Sequence, residues 1–149
     1  MRWGRRYYVR GGFLSRIEPA AAALFEEAAA TSPNEESEFY VTQLGGAVSD
    51  VAEDATAYSG RAARWYWLVE AIWDSPADDE RCMAWGRDLA TRLLAISDAG
   101  NYVNEQGDTG QDVTLEAYGA AKLRRLQRLK VRFDPDNLFR LNQNILPLA

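Results

Sequence analysis

The feature that most constrains this fold is a stretch of alternating bulky side chains from Ala62 to Trp73. Alternate positions starting at Trp65 put three tryptophans on one face, and the positions between them put Tyr66, Leu68 and Glu70 on the other. A strand with large side chains on both faces is typical of the middle of a sheet. The stretch therefore predicts a central strand, with helices against one face and a pocket or a partner against the other.

Two shorter stretches predict further strands. Arg5 to Phe13 is rich in residues that favour strands, and the glycine pair near its end predicts a turn or bulge there. Glu36 to Leu44 alternates, so Phe39 and Val41 share one face of a strand. We expect the stretch 5–13 to form an unpaired edge that favours association with another chain.

The segments between the strands predict two helices. The first covers residues 16–30, and Ser15 is its expected cap because Glu18 follows three residues later, as in a capping box. The second covers residues 78–96, where apolar side chains recur with helical spacing. The core contacts expected from this second helix are Met83, Leu89, Leu93 and Ile96, with Trp85 nearby.

A long C-terminal helix is predicted to end just before Pro135, because proline disfavours helical torsions in the residue that precedes it. Asp134 or Asp136 is expected to cap the following turn. Beyond it lies an amide-rich tail whose side chains need hydrogen-bond partners once they are buried. Three- and four-residue steps predict one apolar stripe on this helix, formed by Leu123, Leu126, Leu129 and Phe133.

Together these elements predict an α+β fold in which helices back an antiparallel sheet, arranged as a single domain over residues 1–149. The chain contains no histidine, which excludes histidine-based triads and histidine-ligated metals, and we expect no metal site. Cys82 is the single cysteine, so no disulfide is expected and a cytoplasmic location is predicted. A net charge of −5 argues against nucleic acid, and no apolar run is long enough to span a membrane.

The C-terminal region contains three distinctive motifs: Tyr118-Gly119, Asp134-Pro135-Asp136-Asn137-Leu138-Phe139 and Asn142-Gln143-Asn144-Ile145. Earlier in the chain stand Leu44-Gly45-Gly46 and Tyr102-Val103-Asn104. In these motifs the sequence resembles the berberine-bridge-enzyme-like FAD-linked oxidases. The resemblance covers practically the whole chain but only the C-terminal third of a typical family member. It implies a substrate domain without the FAD-binding module.

The resemblance implies the substrate-domain part of an FAD-linked oxidoreductase, either a split subunit or a truncated member. Its substrate would be an apolar secondary metabolite or a sugar-like alcohol. FAD is implied, but family members hold it mainly through the N-terminal module, often through a histidine and a cysteine, so this chain alone is not expected to hold it. The expected partner is a separate FAD-binding chain or a second copy. A flavin-free cyclase or isomerase, or a ligand-binding or oligomerisation module, is the alternative.

The resemblance also implies site residues. It places the catalytic base, usually a tyrosine, at Glu105, and a second catalytic residue at Tyr66. A phenol and a carboxylate within hydrogen-bond reach can share a proton, and we expect these two to converge on one cavity. The expected substrate-binding residues are Tyr40, Thr42 and Leu68. Residues that resemble those near the flavin edge are Asn104, Asn142 and Gln143.

Overall fold

The sheet has the tryptophan-rich strand at its centre. A computed structural model describes residues 3–98, 100–141 and 143–148. In it, strands β1 (Arg6–Leu14), β2 (Glu38–Gln43) and β3 (Trp65–Trp73) form an antiparallel sheet in the order β1-β3-β2. The helices are α1 (Pro19–Ala30), α2 (Asp79–Leu94) and α3 (Gln111–Phe133). The predicted α+β class and the central position of the tryptophan-rich strand are both confirmed.

One side of the sheet, which we call the tryptophan face, packs against α1 and α2. Trp67 and Val69 are fully buried there against Leu89 and Leu93 of α2. Ala21 and Ala28 are also buried in this cluster, because small side chains let α1 approach closely. The tryptophan face consists of Trp65, Trp67, Val69, Ala71 and Trp73, and the opposite, outer face carries Tyr66, Leu68, Glu70 and Ile72.

The glycine pair of β1 does not form the predicted turn. Gly11 and Gly12 lie inside the strand, opposite Leu68 and Trp67. A Cβ atom on Gly11 would lie 2.0 Å from the Tyr66 hydroxyl, and one on Gly12 would lie 2.7 Å from the indole ring of Trp67. Each glycine therefore makes room for a large side chain, one on each face of the sheet.

Two helix boundaries differ from the predictions. α1 begins at Pro19, and Ser15 is not its cap, since the Ser15 hydroxyl instead donates to the Asp98 carboxylate at 2.8 Å. α2 ends at Leu94, so Ile96 follows the last helical turn and is 42% exposed. The prediction of Ile96 as a core residue is wrong, because the helical spacing does not continue to its position.

The apolar stripe of α3 is covered over only part of its length. Non-helical torsions at Gly119 (φ 68°, ψ 160°) divide the helix. Leu123 is buried, but Leu129 is exposed and Phe133 is 71% exposed. The periodicity was therefore sufficient to predict the helix but not the burial of its last two turns. Within the described residues, no helix is long and apolar enough to cross a membrane.

Asp134 holds the turn after α3, as predicted. Its carboxylate accepts the backbone N–H groups of Leu138 at 2.7 Å and Phe139 at 3.1 Å. Lys130 forms an ion pair with the same carboxylate and donates to the Phe139 carbonyl at 2.6 Å. The hydrogen bond from Lys130, followed by the backbone donors, holds the pKa of Asp134 below its usual range.

The two edges of the sheet differ. β1 lies at an edge, as predicted, but the chain itself covers that edge: the Gly107 amide donates to the Val9 carbonyl at 2.6 Å, and the Asp98 amide donates to the Phe13 carbonyl at 2.9 Å. For β2, no backbone hydrogen bond joins its outer edge to another part of the described chain. The open edge is therefore β2, not the predicted stretch 5–13.

Candidate active site

The strand register brings four of the sequence-predicted residues onto the outer face. Thr42 lies opposite Tyr66, and Tyr40 lies opposite Leu68. The alternation of side chains along β2 and β3 explains this placement, since residues two apart share a face. Tyr40 and Thr42 are exposed, whereas Tyr66 and Leu68 are buried.

A short 3-10 turn over Val103–Glu105 brings the predicted base to the same face. The Tyr102 ring, just before the turn, meets the Tyr66 ring edge-on with centroids 6.3 Å apart. The Glu105 carboxylate is close enough to help raise the pKa values of both Tyr66 and Tyr40, although burial is the larger cause for each phenol. The structure thus brings Tyr66 and Glu105 together.

The Tyr66 hydroxyl has an unusual environment. Tyr66 is only 7% exposed, and its oxygen makes no hydrogen bond of ordinary geometry with the described residues. The ring packs against Phe13 with centroids 5.2 Å apart. Burial and the nearby Glu105 raise its pKa well above the usual range, so the phenol stays protonated and can donate a hydrogen bond.

Sequence reasoning missed Glu70. It lies on the outer face, 8% exposed, and its Oε1 atom has no partner in the described chain. Its partner in the register is another carboxylate, Glu38 of β2. Burial, followed by the charge of Glu38, raises the pKa of Glu70. The sequence signal was a glutamate within a bulky strand, but the contact with Glu38 depends on a register that the sequence does not state.

The structure describes two of the three residues expected near a flavin, Asn104 and Gln143. The Asn104 side chain is exposed and donates to the Tyr102 hydroxyl at 2.9 Å. Gln143 donates to the Asp108 carbonyl at 2.8 Å, and its Oε1 atom is buried without a partner. Asn142 lies outside the described residues. Gln143 therefore offers a buried acceptor that fits one N–H group at the edge of a flavin ring.

The described residues fit the phosphates of FAD less well. A pyrophosphate is usually held by backbone N–H groups at the start of a helix. α3 begins after the glycine-containing loop 107–110, but Asp108 and Asp112 flank that start, and their charges oppose a phosphate. No group of acidic, histidine or cysteine side chains in the described ranges could hold a metal ion.

The convergence of Tyr66 and Glu105 on one cavity stays a prediction; Tyr66 and Leu68 are buried on the outer face, and Glu105 is half-buried. A cavity of about 290 Å³ lies beside Tyr102, but its lining does not include Tyr66 or Glu105. Asn101 lines this cavity; it is buried, and neither side-chain polar atom has a hydrogen-bond partner among the described residues. The remaining lining residues are Ala57, Tyr58, Ser59, Val103, Asn104, Ala117 and Tyr118.

Sequence comparison identifies relatives of this chain. A family model described as "Berberine and berberine like" matches residues 101–146. The uncharacterized FAD-linked oxidoreductase YvdP of Bacillus subtilis (strain 168) is 32% identical over 122 residues, which is 82% of this chain and 26% of the relative. The FAD-linked oxidoreductase OXR1 of Pyricularia oryzae is 33% identical over 150 residues, covering 93% of this chain and 30% of the relative.

Solved structures show the same fold. Aclacinomycin oxidoreductase matches 96% of this chain with a TM-score of 0.79 and 24% identity, over 33% of its own length. Berberine bridge enzyme from Eschscholzia californica matches the whole chain with a TM-score of 0.79 and 18% identity, over 34% of its length. This chain thus spans about a quarter to a third of the proteins that it matches.

Proposed function

We propose that this chain, which carries the berberine-bridge-like domain of the FAD-linked oxidoreductases, forms the substrate-side wall of an oxidoreductase site. The observation that supports this function is the meeting of a buried phenol, Tyr66, with a carboxylate, Glu105, on one sheet face. The two residues come from segments far apart in the chain. A phenol and a carboxylate at one place are suited to moving a proton to and from a substrate.

The two residues take different roles. Tyr66 keeps its proton, so it donates a hydrogen bond to the substrate oxygen. Glu105 is half-buried and forms no ion pair with a described lysine or arginine, so its carboxylate is available to take the proton from a substrate hydroxyl or C–H group. FAD, when bound, supplies the hydride acceptor. The buried Gln143 Oε1 would then accept a hydrogen bond from the flavin ring edge.

The exposed strand β2 provides the substrate contacts. Tyr40 and Thr42 present an aromatic ring and a hydroxyl beside Tyr66, and Leu68 supplies an apolar floor. Such a wall suits a molecule with an apolar ring system and a few hydroxyl groups. We therefore propose an apolar secondary metabolite or a sugar-like alcohol as the substrate, and a cytoplasmic reaction, in keeping with the single buried thiol of Cys82.

The chain's partner in this proposal is an FAD-binding chain, with a second copy as the other outcome. Since Asp98 and Gly107 already satisfy the edge of β1, a partner strand would pair with β2. The exposed end of α3 adds apolar surface at Phe133, and the segment after it adds more at Phe139 and Leu141. Light scattering of the purified chain, with and without the FAD-binding chain, distinguishes these assemblies.

The test is reconstitution. The chain is mixed with an FAD-binding chain or with the FAD-binding region of a relative, and bleaching of the flavin absorbance is followed with candidate substrates. Glu105→Gln should lower turnover by about a hundredfold or more, and Tyr66→Phe by about tenfold, since the amide cannot take the proton while the phenol only donates a hydrogen bond. The exposed Glu35→Gln is the matched control and should keep full activity. A fully active Glu105→Gln variant would show that the proposed base is wrong.

A further inference from the structure

The segment that follows Glu105 lies along the edge of β1 and completes its hydrogen bonding. The Gly107 amide donates to the Val9 carbonyl at 2.6 Å, and the Gln106 side-chain amide donates to the Gly11 carbonyl at 3.4 Å. The approach at Gly107 is close, since a Cβ atom there would lie 3.0 Å from the Val9 carbonyl oxygen. The chain is therefore attached to β1 within two residues of Glu105.

Arg10 of β1 binds the end of this segment through its guanidinium group. Its Nη1 donates to the Asp108 carboxylate at 3.4 Å, and its Nη2 donates to the Glu116 carboxylate of α3 at 3.3 Å. The Asp108 carboxylate also accepts a hydrogen bond from the Tyr8 hydroxyl at 3.2 Å. The Arg10 side chain is only 11% exposed, so loss of its partners would leave a largely buried charge unpaired. Arg10 thus joins β1, the segment after Glu105 and α3.

Arg10 and Glu105 lie on opposite faces of the sheet. Arg10 pairs with Val69 in the register, so its side chain leaves β1 on the tryptophan face, whereas Glu105 meets Tyr66 on the outer face. The segment 105–108 therefore passes around the edge of β1 from one face to the other. Before Glu105, its backbone is held by the bond from the Glu105 amide to the Tyr102 carbonyl at 2.9 Å. The position of the carboxylate depends on both attachments.

We propose that Arg10 is a positioning residue: by binding Asp108 and Glu116 it holds the segment 102–108 on the edge of β1 and keeps the Glu105 carboxylate beside Tyr66. Because Arg10 leaves the strand on the other face, it touches no substrate at the outer face. Its effect on turnover rests on the proposed oxidoreductase function, in which a small displacement of the base costs rate. Its effect on the place of Glu105 needs no flavin and is measured on this chain alone.

The first measurement is amide hydrogen exchange in the isolated chain, followed by NMR. Arg10→Gln should speed exchange of the Gly107 amide by about tenfold or more, because losing a charge-assisted hydrogen bond makes local opening easier by about that factor. The Asp98 amide, which donates to the Phe13 carbonyl on the same edge of β1, is the internal control and should keep its rate. A selective change at Gly107 distinguishes release of this segment from a general loss of stability.

Matched variants separate the role of Arg10 from that of its charge. Arg6→Gln, on the same strand, removes an arginine that pairs with Asp79 of α2 and should leave exchange at Gly107 unchanged. Arg10→Lys keeps the charge and should restore part of the protection that Arg10→Gln loses. If Arg10→Gln does not fold, Asp108→Asn removes one of its two carboxylate partners and should give the same selective change.

A second measurement reports the place of Glu105. In the otherwise unchanged chain, Glu105→Gln should shift the ring resonances of Tyr66, because the two side chains lie together. In the Arg10→Gln background the same substitution should shift them by less than half as much. This double-variant comparison measures the coupling between Arg10 and Glu105 directly.

In the reconstituted complex, Arg10→Gln should lower kcat by about tenfold with little change in KM, Arg10→Lys should recover part of the loss, and Arg6→Gln should keep full activity. Unchanged exchange at Gly107, equal acceleration at Asp98 or a fully active Arg10→Gln complex overturns the proposal. The oxidoreductase function fails separately: if the exchange and the Tyr66 shifts change as described but the unsubstituted complex never reduces flavin, Arg10 still positions Glu105 and the oxidoreductase assignment is lost.

Discussion

On the tryptophan face of the sheet, buried polar groups have partners, whereas on the outer face several do not. The indole N–H of Trp67 donates to the Ser97 hydroxyl at 2.8 Å, and that of Trp73 donates to Asp79 at 2.6 Å. On the outer face, the Tyr66 hydroxyl and one Glu70 oxygen are buried without such bonds. One face thus follows the rules of stable packing, and the other departs from them where we place the site.

The largest expected effect is on the tryptophan face. Trp67→Ala should lower the free energy of unfolding by about 3–5 kcal/mol, because a fully buried indole packed against α2 would leave a cavity. Chemical denaturation followed by circular dichroism measures this. The exposed Trp3→Ala is the control and should change stability by less than about 0.5 kcal/mol. A Trp67→Ala loss below about 1 kcal/mol would contradict the assignment of this face as the core.

Substitutions at Gly11 and Gly12 of β1 compare the packing on the two faces of the sheet directly. Gly11→Ala and Gly12→Ala should each cost about 1–3 kcal/mol, because each added Cβ meets an atom closer than 3 Å. In a Trp67→Phe background, Gly12→Ala should cost much less, since the ring atoms that it meets are gone. Gly11→Ala should not be rescued by Tyr66→Phe, because its Cβ also lies 2.9 Å from the Trp67 carbonyl oxygen. Denaturant midpoints of the single and double variants give these energies.

A smaller effect on stability is expected from removing the Ser97 hydroxyl, which accepts a hydrogen bond, than from the substitutions above. Removing the Tyr66 hydroxyl should have a smaller effect still. Ser97→Ala should cost about 1–2 kcal/mol, because it leaves the buried Trp67 indole N–H without its acceptor. Tyr66→Phe should change stability by no more than about 0.5 kcal/mol, because its hydroxyl makes no hydrogen bond of ordinary geometry and has only the nearby Glu105 carboxylate as a partner. Thermal unfolding of both variants measures the difference. Equal losses would mean that the Tyr66 hydroxyl is bonded after all and that the two faces do not differ in this respect.

The smallest effect has the opposite sign. Glu70→Gln should stabilise the chain at pH 7 by about 0.5 kcal/mol, because it removes one of two like charges placed opposite each other. The pKa of Glu70 is raised in the folded state, so protonation relieves the repulsion, and the advantage of Gln should fade as the pH falls through the folded pKa toward 4.5. As a control, Glu26→Gln at an exposed position of α1 should change stability at pH 7 by less than about 0.5 kcal/mol. Denaturation curves at several pH values test this.

Much of the fold was predictable because alternation and helical spacing are local properties. These patterns correctly predicted the tryptophan-rich strand, the placement of Phe39 and Tyr40 on opposite faces of β2, and the end of α3 before Pro135. The errors lie where distant residues decide the outcome. The glycine pair indicated a turn because the side chains that cross it, Tyr66 and Trp67, belong to another strand.

The arrangement of residues on the outer face was predictable only in part. Tyr66 and Glu105 were placed by resemblance, and the strand alternation put Tyr40 and Thr42 beside Tyr66. Glu70 was not predicted, because its contact with Glu38 arises only when β2 and β3 pair in one register. The burial of an unpartnered oxygen also depends on residues from several segments, so spacing along the chain could not have revealed it.

The turn at Asp134 and the sheet at Glu70 respond to acid in opposite ways. The depressed pKa of Asp134 means that its ion pair with Lys130 and its bonds to Leu138 and Phe139 are in place above about pH 4 and are lost as the pH falls through the folded pKa. Glu70 becomes neutral over the same descent, which relieves the sheet. Acidification therefore releases Leu138 and Phe139 from the last turn of α3. Over the same pH range it removes the repulsion between Glu70 of β3 and Glu38 of β2.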